Sequence, residues 1–91
     1  FSSDPVPSHV MLGAIYQEQG LLDQALHHYQ HALAANPTDA NVLNRVGVVL
    51  QSQYKSSLAV HFHQRAIAVQ PNHVDALISM AKAWLDQGHV Q

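Results

Sequence analysis

The segment HHYQHALAANP at residues 27–37 returns thirty-four positions later as HFHQRAIAVQP at residues 61–71. His27 aligns with His61, Gln30 with Gln64, Ala32 with Ala66, Ala34 with Ala68 and Pro37 with Pro71. Upstream, the same offset pairs Gly13 with Gly47, Gln17 with Gln51, Gln19 with Gln53 and Ala25 with Ala59. A third start, VDALISMAKAWLDQG at residues 74–88, parallels VPSHVMLGAIYQEQG at residues 6–20. An internal period of this length means a stacked repeat. Each unit is too short to bury its own apolar face, so neighbouring units must cover one another.

Within each unit the apolar positions have helical spacing. Leu12, Ile15 and Tyr16 stand at i, i+3 and i+4, the rhythm breaks at Gly20, and Ala25, Leu26, Tyr29, Ala32 and Leu33 carry it on to Pro37. Each unit therefore reads as helix, tight turn, helix, Pro. Asp4 before Pro5 is an N-cap followed by a residue tolerated at the first helical position. Thr38 or Asp39 can cap the third helix, and Asn72, with Asp75 three residues on, the fifth. The expected helices cover about 5–19, 22–36, 39–53, 56–70 and 73–87. The small residues Gly13, Ala25 and Ala32 let two helices approach, with Tyr16 and Tyr29 filling the space around them. In the second unit Gly47, Ala59 and Ala66 keep the small positions, Leu50 and His63 replace the tyrosines, and Val46, Val60 and Ile67 make the core more aliphatic.

These residues resemble the tetratricopeptide (TPR) repeat, whose period of about 34 carries a Trp, Leu-Gly, Tyr, Ala, Phe, Ala, Pro signature. The first unit, residues 6–39, matches with Leu12-Gly13, Tyr16, Gly20, Ala25, Tyr29, Ala32 and Pro37, and has His9 at the opening aromatic. The second, residues 40–73, keeps Gly47, Ala59, Ala66 and Pro71 but departs at Val46, Leu50, Tyr54 and His63. The third, residues 74–91, keeps its first helix, with Leu77, Met80, Ala81, Trp84 and Gly88. The resemblance implies an all-α solenoid of stacked antiparallel hairpins, about two and a half repeats in one domain spanning residues 1–91. Tyr54, at the expected turn glycine, suggests a different turn without a positive φ. His63 is expected to be a hydrogen-bonded core imidazole, neutral near pH 7.

His27 and His31 stand four apart, as two ligands of a helical zinc site do. A third ligand is missing: the chain has no cysteine, Asp23 lies at an imperfect angle, and the second unit has Arg65 at the place of His31. The three histidines therefore read as a polar outer face, and no metal or cofactor is expected. No G-x-S-x-G, H-E-x-x-H or phosphate-binding glycine loop occurs, and scattered acids such as Glu18 and Asp86 make no enclosed pocket. The expectation is a chain that is non-enzymatic in itself.

Composition narrows the partners. Only 11% of the 91 residues are charged, about half the usual share, and the formal charge is −2. Arg45, Lys55, Arg65 and Lys82 are scattered singly, so nucleic acid and anionic membranes are poor partners. No apolar run approaches the roughly 20 residues of a membrane span. Together with the absence of cysteine and of a signal peptide, this points to a cytoplasmic setting. The start at Phe1 and the end at Gln91 read as a piece of something longer.

In the family, the first helices of successive hairpins line a concave groove that binds peptides or helices of other proteins. Carried onto this chain, the groove positions are Val10, Met11, Ala14 and Gln17 in the first helix. The third helix supplies Asn41, Asn44, Arg45, Val48 and Gln51, and the fifth Asp75, Ile78, Ser79 and Lys82. Asn side chains can hydrogen-bond a peptide backbone in both senses, and the two cations can take a carboxylate. A TPR subclass clamps acidic C-terminal tails with a Lys and an Asn in its first repeat; Val10 and Ala14 stand at those positions, so that clamp is incomplete. The resemblance thus implies a scaffold or adaptor module for a protein or peptide partner. Two alternatives stand beside it. Leu77, Met80, Trp84 and Leu85 form a C-terminal apolar edge suited to self-association as a homodimer. Otherwise the repeats recruit substrate for a catalytic domain elsewhere in a longer chain.

Overall fold

The computed structural model describes residues 5–86, with side chains from residue 9 onward. Within them lie five helices and no strand: α1 (Pro5–Glu18), α2 (Leu22–Ala35), α3 (Ala40–Ser52), α4 (Ser56–Val69) and α5 (Val74–Asp86). Every boundary falls within one or two residues of the expected one. The cap at Asp4 and the turn at Gly88 lie outside the described residues. Helices α1 and α2 form one antiparallel hairpin and α3 and α4 a second, with α5 laid against α4 and α3.

The ends of the helices follow from local chemistry. Asp39, not Thr38, caps α3: its Oδ1 accepts from the backbone N–H groups of Asn41 and Val42 at 3.1 and 3.3 Å. Asn36 and Gln70, each before a proline, are extended (φ −145° and −135°), which stops α2 and α4 where the proline ring forbids helix. Within each hairpin the chain turns through a left-handed residue. At the first turn Leu21 N–H donates to the Tyr16 carbonyl and Gly20 N–H to that of Gln17, with Gly20 at φ +79°. At the second, Lys55 N–H donates to Leu50 and Tyr54 N–H to Gln51, with Tyr54 at φ +64°. The expectation of a different turn at Tyr54 is therefore wrong. The paired bonds that end the helix require a left-handed residue, and they impose it on a tyrosine despite its Cβ.

The core is built on alanine. Ala25, Ala32, Ala59, Ala66, Ala76 and Ala83 are buried and let successive helices close up. Tyr29 fills the first hairpin and His63 the second, each pressed on a glycine of the facing helix. A Cβ at Gly13 would lie 2.6 Å from the Tyr29 ring, and one at Gly47 2.5 Å from the His63 ring. Val42, Val46, Val49 and Leu50 join the two hairpins in one cluster, while Leu43 packs with Ala40, Ala66 and Ala76 in a second beneath α5.

One expectation about the interior changes. His63 has no exposed surface, and neither ring nitrogen has a hydrogen-bond partner among the described residues, so it is buried but not satisfied. Burial pushes its pKa down to about 4, which keeps it neutral at pH 7 as expected. In α5 the covered side chains are Ala76 and Ala83, while Leu77, Ala81, Trp84 and Leu85 are exposed and Met80 is half-buried.

Candidate functional site

Helices α1, α3 and α5 lie along one side of the stack and enclose an open hollow of about 590 Å³. Val10 and Gln17 reach it from α1, Asn41, Asn44, Arg45 and Val48 from α3, and Asp75, Ile78, Ser79 and Lys82 from α5. A second hollow of about 280 Å³ shares Val48, Ser79 and Lys82 and adds Gln51 and Asp86, so the two form one trough. Of the residues expected there, Met11 and Ala14 line neither hollow. Asp39, Val42 and His73 are wall residues that the sequence reading did not name.

His73 organises one end. Its Nδ1 accepts from the Ala76 N–H at 3.1 Å, which leaves the ring proton on Nε2 to donate to Asn41 Oδ1 at 2.7 Å. The imidazole thus caps α5, the role expected of Asn72, and ties α5 to α3. His73 lies thirty-four residues after Asp39, the cap of α3, so the period itself marks the position. At the other end Gln51 Nε2 donates to Asp86 Oδ2 at 3.3 Å, and between the hairpins Gln53 Nε2 donates to Asp23 Oδ1 at 2.9 Å. Interhelical side-chain bonds of this kind fix the spacing of the trough walls.

The trough carries charge of both signs. Arg45 and Lys82 face it with Asp75, as the sequence places them, and Asp39 and Asp86 add two further acids. Asp39 is occupied in capping and Asp86 by Gln51. Tyr29 donates its phenol hydrogen to Gln17 Oε1 at 2.8 Å, anchoring a wall residue from within the core. Burial raises the Tyr29 pKa above its usual value, and the neighbouring Arg45 guanidinium offsets part of that rise. Asn44 is buried beside the hollow, and its Oδ1 has no hydrogen-bond partner among the described residues.

The histidines of α2 are largely outside the trough. His27 and His31 are exposed and His28 is half-buried; His28 and His31 lie against His9 of α1, and His27 against His28 and His31. Among the described residues no group of three or more His, Cys, Asp or Glu side chains is placed to hold a metal ion. No helix among them is long and apolar enough to cross a membrane.

Residues 6–39 match the family model of the tetratricopeptide repeat. No curated protein matches the chain. Tetratricopeptide repeats generally mediate protein–protein interaction and scaffolding and are typically non-catalytic. The matched residues are the hairpin of α1 and α2, built on Gly13, Tyr16, Ala25, Tyr29 and Ala32, and there the chain is similar to the tetratricopeptide repeat.

Proposed function

We propose that the trough of α1, α3 and α5 binds an extended segment of a partner protein, making the chain a scaffold or adaptor module. One observation carries this reading. Side chains from three helices, far apart in sequence, converge on a single open surface whose amides (Gln17, Asn41, Asn44, Gln51) can pair a peptide backbone. Charges of both signs favour a segment of mixed charge over a purely acidic tail. The test is selection from a random peptide library, then anisotropy titration of the selected peptide. Val48→Trp, which fills the part shared by the two hollows, and Lys82→Glu are each expected to weaken binding about tenfold or more. Undiminished binding to both variants places the site elsewhere.

A second reading is self-association through α5, where Leu77, Trp84 and Leu85 are exposed at 41%, 51% and 58%. Burying each large apolar side chain is worth roughly 1.5–3 kcal/mol, and the low surface charge offers little repulsion. Sedimentation velocity over a concentration series separates the two readings. A dimer that Leu77→Asp leaves as tight as wild type rules this edge out.

A further inference from the structure

The trough leaves four histidines unused, and they form one cluster across the first hairpin. His9 Nδ1 on α1 lies 3.2 Å from His28 Nδ1 on α2. The His9 ring stacks on His31 with centroids 4.8 Å apart and planes 14° apart, and His31 meets His27 edge-on at 4.7 Å. His28 touches His27 at 5.5 Å and is stacked with Tyr16 at 5.4 Å. Imidazole is the side chain that gains and loses a proton between pH 5 and 8, so contacts among four of them respond to the proton.

The contacts limit how many protons the cluster can hold. A bond between two imidazole nitrogens needs one N–H and one lone pair. Once both His9 and His28 carry a proton on Nδ1, two N–H groups face each other across 3.2 Å and the bond is gone. Parallel imidazolium rings of His9 and His31 repel in the same way. The other titratable and charged groups on these helices give little relief. Glu18 sits at the far end of α1, Asp23 one turn before His27 already accepts from Gln53, and Arg45 of α3, which packs on α2, faces the trough. Partial loss of hydration, and then His9, His27 and His31, hold His28 below its usual pKa.

We propose that this cluster is a proton-operated latch: neutral, it clips α1 to α2 through His9, and on acidification toward pH 5.5 it opens and releases the N-terminal half of α1. Val10 follows His9 directly and lines the trough, so opening the latch also reshapes that end of the trough. This consequence rests on the groove reading, whereas the latch does not.

Native-state hydrogen exchange on the whole chain at pH 7.0 and 5.5, corrected for intrinsic rates, tests it. Between pH 7.0 and 5.5 the protection of α1 amides is expected to fall about tenfold further in the wild type than in His28→Gln/His31→Gln, which keeps His63 and so the same acid response of the second hairpin. An equal fall in the two proteins overturns the latch. Imidazole ¹⁵N spectra give a second readout free of folding effects. The latch requires the His28 titration to move upward when His9 is replaced in His9→Gln, and an unchanged His28 titration refutes it. Neither experiment involves a peptide, so failure of the groove leaves both intact.

Discussion

Replacing His63 by tyrosine should stabilise the protein, and the first hairpin supplies the template. Tyr29 and His63 occupy equivalent sites thirty-four residues apart, each without exposed surface and each against a glycine. The Tyr29 hydroxyl exits the core to Gln17 Oε1, and the residue at the matching place in the second hairpin is Gln51. Gln51 uses its Nε2 on Asp86, which leaves Oε1 to accept. The substitution removes two buried ring nitrogens without partners, each an unsatisfied group of about 1–3 kcal/mol, and adds a hydrogen bond of about 1 kcal/mol. Accommodating the longer ring returns about 1–3 kcal/mol. A net gain of about 2 kcal/mol, or about 10 °C in Tm for a domain of this size, is expected at pH 7.

The pH dependence sharpens the test. Free His63 in the unfolded chain titrates near 6.5, whereas burial holds the folded group at about 4. Between those values the unfolded state binds the extra proton, so stability is full above pH 6.5 and is lost as pH falls toward 4. The loss is about 2 kcal/mol by pH 5 and roughly 3 kcal/mol in total. Urea unfolding followed by circular dichroism should therefore show the variant ahead of wild type by about 2 kcal/mol at pH 7 and about 4 kcal/mol at pH 5. A gap that does not widen on acidification refutes the account of His63, whatever its size at pH 7.

Three further outcomes follow from the same structure. Tyr54→Gly should raise stability by about 0.5–1 kcal/mol, since Tyr54 is 93% exposed and its positive φ costs more than a glycine's extra chain entropy; thermal unfolding reads it. His73→Ala should cost about 1–2 kcal/mol, removing both the cap of α5 and the bond to Asn41, with the loss of exchange protection concentrated in α5. Gly13→Ala should destabilise by about 1–3 kcal/mol, because its Cβ would lie 2.6 Å from the Tyr29 ring and Tyr29 is fully enclosed.

The helices, the hairpin order and most of the trough were legible because a repeat assigns faces by arithmetic. Once Ala25 and Ala32 are inside, Ala59 and Ala66 are too, and the first helices turn the opposite way. What the sequence hid depends on side-chain direction or on a neighbouring element. His9 joins His28 and His31 only through the packing of α1 on α2, and in sequence it was merely the missing aromatic. The turn at Tyr54 is set by the hydrogen-bond pattern that ends the helix, which residue preference alone does not state. Imidazole is an uncommon cap, so only the offset from Asp39 marks His73 in the sequence.

Histidine occupies three positions where the repeat places something else: His9 at the opening aromatic, His63 at the interior aromatic and His73 at the cap held by Asp39 one period earlier. Each is engaged in its neutral form. His9 shares a bond with His28, His63 sits in an apolar core, and His73 uses its unprotonated Nδ1 to hold the start of α5. A proton weakens all three by separate means: repulsion in the first hairpin, desolvation in the second and loss of an acceptor at the third. The chain has little fixed charge to mask the effect, since full protonation of its eight histidines turns a formal −2 into +6. Acidification therefore acts on every repeat, with self-repulsion spread across the stack as well as at the three sites. Replacing one histidine should leave the other two responses in place, so a single substitution that abolishes all acid sensitivity would contradict this assignment of three independent sites.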